Sequence, residues 1–181
     1  MIPLELEPEQ IQWAGKFITA RTRGKWEYVT RARGIRAAVI LAIDADDHVL
    51  LVEQFRVPLG KRCLELPAGL IGDDDASGDE DPATAAGREL EEETGYRADQ
   101  LEIVGEFYSS PGMVSESFTL VRAHGLTKVG AGGGIDSEDI TVHRVALAGL
   151  PQFVESARVR GLGIDVRLLM LLAPHIMGET R

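Results

Sequence analysis

Residues 88–95 read Arg88-Glu89-Leu90-Glu91-Glu92-Glu93-Thr94-Gly95. Side chains three and four apart share one face of a helix, so Glu89, Glu92 and Glu93 converge and Leu90 is left to pack on the opposite side. Asp81-Pro82 upstream supplies an N-cap and a first helical residue, and Gly95 supplies a stop. The spacing therefore predicts a helix over 82–94. Each like-charge pair on its face costs roughly a few tenths of a kcal/mol. A glutamate run alone reads as a solvated surface. It makes chemical sense as a site if divalent cations bridge the carboxylates, since Mg²⁺ takes oxygen ligands and joins a few carboxylates to substrate phosphates. Arg88, four residues before Glu92, is placed to hold that carboxylate.

Working outward, residues 37–43 (AAVILAI) read as a buried strand, Asp44-Ala45-Asp46-Asp47 as a turn, and His48 to Phe55 as the second strand of a hairpin. Leu64-Glu65-Leu66 reads as a short strand running into Pro67-Ala68-Gly69. The polar stretch IGDDDASGDED from Ile71 onward reads as a loop. Beyond the helix, strands are predicted over 101–108, 117–123 and about 140–145, with a flexible glycine loop at 130–134. Helices close the chain at about 150–159 and 165–176. Strands interleaved with helices indicate an α/β domain.

With 181 residues, 44% hydrophobic and 27% charged, the chain can bury one ordinary core. No repeat or linker divides it, although residues 1–34 stand apart by holding both tryptophans and much of a basic cluster. The expected division is 1–34 as an N-terminal β segment and 35–181 as the main domain. A formal charge of −10 argues against nucleic acid as a partner. The opening MIPLELEPEQ lacks the basic and apolar regions of a secretory signal. The longest apolar run, 168–176, falls short of the roughly 20 residues needed to span a bilayer. Cys63 is the only cysteine. Together these point to a cytoplasmic protein without membrane partners. His48, His124, His143 and His175 show no metal-ligand spacing and read as structural.

The helix and its surroundings resemble the Nudix hydrolases, whose signature is Gly, five residues, Glu, seven residues, then Arg-Glu-apolar-any-Glu-Glu-any-Gly-apolar. Glu80, seven residues and Arg88 to Tyr96 fit it from the first Glu onward. The glycine departs: position 74 is Asp, and Gly69 is separated from Glu80 by ten residues instead of five. A five-residue insertion within Ile71–Gly78 accounts for this, leaving Pro67-Ala68-Gly69 as the start of the motif, and lengthening a surface loop costs little. The resemblance implies an α/β/α sandwich with a mixed sheet and a small N-terminal β segment used in dimerisation. It implies Mg²⁺, or Mn²⁺, held by Glu89, Glu93 and the Ala68 carbonyl. Glu92 would ligate or help through water, and Glu80 and Arg88 would support the ligands.

Flanking residues resemble the ADP-ribose pyrophosphatase branch. Ser109-Ser110-Pro111-Gly112 with Glu116 matches its Ser-Pro-Gly…Glu element, and Glu53-Gln54-Phe55-Arg56 would bring Arg56 to a phosphate. Trp26-Glu27 matches a pair that stacks on and hydrogen-bonds adenine, with Trp13 the second tryptophan of a sandwich across a domain-swapped homodimer. In that branch a late loop brings a catalytic base and a further metal ligand. Asp136 aligns with the base and Glu138 with the ligand; Glu138 is the alternative base, because Asp136 is one methylene shorter than the expected Glu. The implied activity is hydrolysis of ADP-ribose to AMP and ribose 5-phosphate. The alternatives are a nucleotide sugar (GDP-mannose, ADP-glucose), NADH or a nucleoside triphosphate as substrate, or a ligand-sensing module that binds an ADP-ribose-like effector without cleaving it.

Overall fold

The computed structural model describes residues 3, 6–32, 36–71, 80–135 and 138–178. Three strands, β1 (Glu9–Ala14), β2 (Ile18–Arg23) and β3 (Trp26–Arg31), form an antiparallel sheet in that order. It is tied to the rest of the chain through Val29, whose N–H donates to the Met113 carbonyl at 3.0 Å and whose carbonyl accepts from Ser115 N–H at 3.0 Å.

Two four-stranded mixed sheets follow. The first is built from β4 (Arg36–Ala42), β7 (Ala68–Ile71), β9 (Gln100–Tyr108) and β10 (Ser117–His124), in the order β7-β4-β10-β9 with β4 and β10 parallel. The second is built from β5 (His48–Arg56), β6 (Lys61–Glu65), β12 (Thr141–Ala146) and β13 (Gly163–Ile164), in the order β12-β5-β6-β13. The pair β8 (Tyr96–Arg97) and β11 (Thr127–Lys128) completes the strands.

The expected hairpin between 37–43 and 48–55 is corrected. β4 pairs with β7 and β10, β5 pairs with β6 and β12, and a single Ile43–Val49 bridge joins the two segments. The reason lies in their composition: strands apolar on both faces are interior strands, and each needs two neighbours. Val39, Val49 and Leu51 face one core cluster with Leu64, Leu120, Val154 and Leu168. Ala38, Ile40, Ala42 and Leu50 face the other, with Ala85, Ala86 and Leu90. Helix α1 (Pro82–Thr94) thus covers one side, while α2 (Leu150–Val159) and α3 (Leu169–Ile176) cover the other. This is the expected α/β/α arrangement.

At the C-terminal end the helix predicted over 165–176 begins instead as a 3-10 turn, Val166–Leu168, in which the Asp165 carboxylate accepts from Arg167 N–H. Among the described residues no helix is long and apolar enough to cross a membrane.

Candidate metal-dependent active site

α1 starts and stops where the sequence says. The Asp81 carboxylate accepts from the N–H groups of Ala83 and Thr84, Pro82 fills the first turn, and Gly95 ends the helix at φ 74°. With Ala85, Ala86 and Leu90 buried, rotation of the helix is fixed, and Glu89 and Glu93 turn toward the beginning of β7.

That approach is close. Ala68 N–H donates to Glu93 Oε2 at 3.0 Å. A Cβ added to Gly69 would lie 1.9 Å from Glu89 Cδ, so only glycine leaves room for the carboxylate. Arg88 Nη1 donates to Glu89 Oε1 at 2.8 Å and to Glu92 Oε2 at 3.3 Å, and Arg88 Nε lies 3.8 Å from Glu80 Oε1. The expected support of Glu92 by Arg88 is therefore present, and it extends to Glu89.

Glu93 is 3% exposed. Burial pushes its carboxyl up to about 8, and Glu89 and Glu138 add repulsion, against the opposing pull of the Ala68 N–H and Arg56. Burial likewise raises Glu89, with Arg88 opposing. Glu93, unlike Glu89, has no ion-pair partner among the described residues, so its charged form is costly to bury. The donor chemistry of Glu89, Glu93, Glu138 and the Ala68 carbonyl, all hard oxygens, suits Mg²⁺ or Mn²⁺. Among the described residues no three acidic, His or Cys side chains already stand at ligating separation, so these glutamates would have to adjust rotamers around an ion.

The glycine-rich stretch 130–134 is a loop, as its composition predicts, and its backbone is bonded to the end of α1. Val129 and Gly130 N–H donate to the Gly95 carbonyl at 2.8 and 3.0 Å, Gly133 N–H to that of Glu93 at 2.8 Å, and Gly134 N–H to that of Glu92 at 3.0 Å. Carbonyls at a helix C-terminus have no partner within the helix, and this segment satisfies them. A Cβ on Gly95 would meet the Gly130 carbonyl oxygen at 2.4 Å, so glycine here permits two backbones to touch. Docking the segment on α1 brings Glu138 to the cleft. Its carboxylate accepts from Ile135 N–H at 3.1 Å, and its own N–H donates to the Ile135 carbonyl at 2.8 Å.

These groups line one cleft of about 690 Å³. Its cationic side is Arg56, Arg167 and Arg31. Arg56 makes two 2.7 Å bonds to Glu65, which is 2% exposed, and Arg167 lies 3.5 Å from Glu65 while binding Asp165. Glu116 accepts from Arg31 at 2.6 Å. Glu65, Asp165, Arg167 and Arg31 were not singled out from the sequence. Glu65 carried a usable signal: an acid inside the apolar run Cys63-Leu64-Glu65-Leu66 must be buried with a cation.

Of the expected site residues, Ala68, Glu89, Glu93, Glu138, Arg56 and Glu116 line this cleft. Glu92 stays partly exposed beside Arg88. Ser109 reaches the cleft, whereas Ser110 uses its carbonyl to accept from Met113 and Val114 N–H. Trp13 and Trp26 are 57% and 52% exposed on the N-terminal sheet and Glu27 is exposed with them, away from the cleft of their own chain. Asp136 and residues 72–78 of the insertion lie outside the described residues.

The model of the NUDIX domain matches residues 33–152. The chain belongs to the Nudix hydrolase family. Among its Nudix and other curated relatives, the methanol dehydrogenase activator of Bacillus methanolicus is 36% identical and the ADP-ribose pyrophosphatase of Bacillus subtilis 35%. Each aligns over 124 residues, 68% of this chain, and the chain spans 64% of the length of each. The GDP-mannose pyrophosphatase of Salmonella paratyphi B is 31% identical over 153 residues, 80% of this chain and 77% of its own. A crystal structure of an ADP compounds hydrolase superposes with a TM-score of 0.67 at 23% identity, covering 96% of this chain and 94% of that one, which shows the shared fold.

Proposed function

We propose that this Nudix cleft hydrolyses a nucleoside diphosphate linked to a second moiety, with ADP-ribose as substrate and AMP and ribose 5-phosphate as products. The observation that carries this reading is the pair Glu89 and Glu93, buried and pushed against Ala68 and Gly69 with Glu138 facing them. A divalent cation held there, Mg²⁺ in the first instance, would neutralise phosphate charge and acidify a bound water. Glu138, or Asp136 from the same segment, would be the base that accepts the water's proton as the water oxygen bonds to phosphorus and the bridging P–O bond breaks, the second phosphate leaving with the bridging oxygen. Arg56 and Arg31 offer guanidinium groups to the phosphates at the cleft wall. The relative from Bacillus subtilis, an ADP-ribose pyrophosphatase, favours ADP-ribose. The GDP-mannose pyrophosphatases, matched over more of their length, favour a nucleotide sugar as the second reading. Retention of every box glutamate speaks against a binding module without turnover.

The N-terminal segment, residues 1–34, fits pairing with a second copy. Ile11, Trp13, Trp26 and the β9 residues Ile103 and Phe107 present apolar surface that this chain leaves uncovered. Such pairing would carry Trp13, Trp26 and Glu27 to an adenine in the other subunit. Light scattering should then give twice the 19.7 kDa chain mass; a monomer would rule the pairing out.

The substrate test is incubation with Mg²⁺ and, separately, ADP-ribose, ADP-glucose, GDP-mannose, NADH or a nucleoside triphosphate, with products identified by mass. AMP and ribose 5-phosphate should form fastest. Faster release of GMP from GDP-mannose would replace ADP-ribose by the second reading.

A further inference from the structure

Arg62 on β6 precedes the cleft residue Cys63 and reaches in two directions. Toward its own sheet, Nε donates to Glu53 Oε1 and Nη2 to the Glu53 carbonyl, both at 2.9 Å. Toward the acidic segment, Nη1 donates to Asp139 Oδ2 at 2.7 Å and Nη2 to the Asp139 carbonyl at 3.2 Å. Asp139 directly follows Glu138. On the other side of Glu138, the backbone of Gly133 and Gly134 is bonded to the end of α1, at the carbonyls of Glu93 and Glu92. Glu138 is therefore suspended between two anchors. One belongs to the helix that carries Glu89 and Glu93; the other combines the Arg62 guanidinium on Asp139 with the buried Ile140 and the start of β12, which pairs with β5 at Thr141 and Glu53.

We propose that Arg62 is a positioning residue, holding Glu138 over Glu89 and Glu93 through Asp139. The inference rests on the reading of Glu138 as a working carboxylate of the cleft. The chemistry of the contact suits this role better than a stabilising one. The Asp139 side chain is 87% exposed, and an ion pair in that setting adds little to stability. Its bonds do fix direction, because a planar guanidinium engages two carboxylates and two carbonyls at once only in one orientation. Nor does removing Arg62 orphan Glu53, which retains His143 Nε2 at 3.1 Å and Arg160 at 3.6 Å. A variant at position 62 should therefore fold.

The test compares wild type, Arg62→Ala, Asp139→Ala and the double variant, with Arg62→Lys as a milder change that keeps the charge and loses the fork. Two readouts are taken: kcat and KM on whichever substrate wild type cleaves, and Mn²⁺ affinity from electron paramagnetic resonance without substrate. Misplacing a reacting group by about an ångström costs up to about a hundredfold. Arg62→Ala should thus lower kcat by about tenfold or more with KM within about twofold, and weaken Mn²⁺ binding in the same sense as Glu138→Gln. Asp139→Ala should do less, because the bond to its carbonyl survives, and the double variant should be no worse than Arg62→Ala. Unchanged kcat and Mn²⁺ affinity in Arg62→Ala, whatever its melting temperature, would overturn the proposal, and so would additive losses in the double variant. If wild type cleaves none of the substrates, the functional reading fails by itself, and the Mn²⁺ affinities alone decide for or against the clamp.

Discussion

Replacing Glu93 with glutamine is expected to abolish turnover while raising the melting temperature of the metal-free protein. The loss should be on the order of a thousandfold, comparable to removing a preorganised contact to developing charge. The gain in stability follows from linkage. The Glu93 carboxyl titrates at about 8 in the fold against an ordinary 4.5, chiefly because it is buried. Between those values the folded chain holds a proton that the unfolded chain has released, so stability falls as pH rises through that window. Below the lower value both states are protonated and the penalty is absent. At pH 7 the offset amounts to roughly 3 kcal/mol at most. Glutamine keeps an oxygen to accept from Ala68 N–H and carries no charge to bury. Recovering even about 1 kcal/mol raises the melting temperature of a chain this size by about 2–4 °C. Calorimetry in chelator at pH 7 and again near pH 4.5 checks both halves: a rise at the first and none at the second. A variant that melts below wild type at pH 7 contradicts the account of an unpaired buried carboxylate.

Gly69→Ala should inactivate without unfolding. The new methyl would overlap the Glu89 carboxylate, with contacts of 1.9–2.2 Å to Cδ, Cγ and Oε1. All three are the far end of a flexible side chain, so the strain is relieved by swinging Glu89 away, and the loss falls on ligand placement. A hundredfold drop in kcat is the expected scale, by analogy with a displaced reacting group. Melting should shift little. At Gly95, in contrast, the obstacle is the carbonyl of Gly130 on a φ of 74°, and no rotamer relieves it. Wild-type turnover in Gly69→Ala would show that Glu89 does not need its observed position.

The parts legible in the sequence were those determined by short-range chemistry. Asp81, Pro82 and Gly95 mark α1 through local capping, and the spacing of Glu89 and Glu93 puts them on one face whatever the rest of the chain does. The apolar run 37–43 announced a strand but not its neighbours. Pairing in sheets is non-local, and alternation cannot separate a hairpin from two interior strands of different sheets. The glycine-rich stretch 130–134 was read only in part, for a related reason. Its composition is that of a mobile linker, yet its role depends on carbonyls at the end of a helix some 40 residues earlier. The clamp of Arg62 on Asp139 spans 77 positions and left no local trace. Trp13, Trp26 and Glu27 were picked out by resemblance alone, and their place on the exposed N-terminal sheet leaves any role in adenine binding to a second subunit.

The measurement closest to the central claim is cleavage of ADP-ribose by wild type as Mg²⁺ is titrated into chelator-treated protein, with the products weighed. The account predicts no cleavage without metal, saturable formation of AMP and ribose 5-phosphate with it, and a rate on the order of a thousandfold lower at every Mg²⁺ concentration in Glu93→Gln. Equal cleavage in the presence of chelator, or wild-type rates from Glu93→Gln, would contradict it.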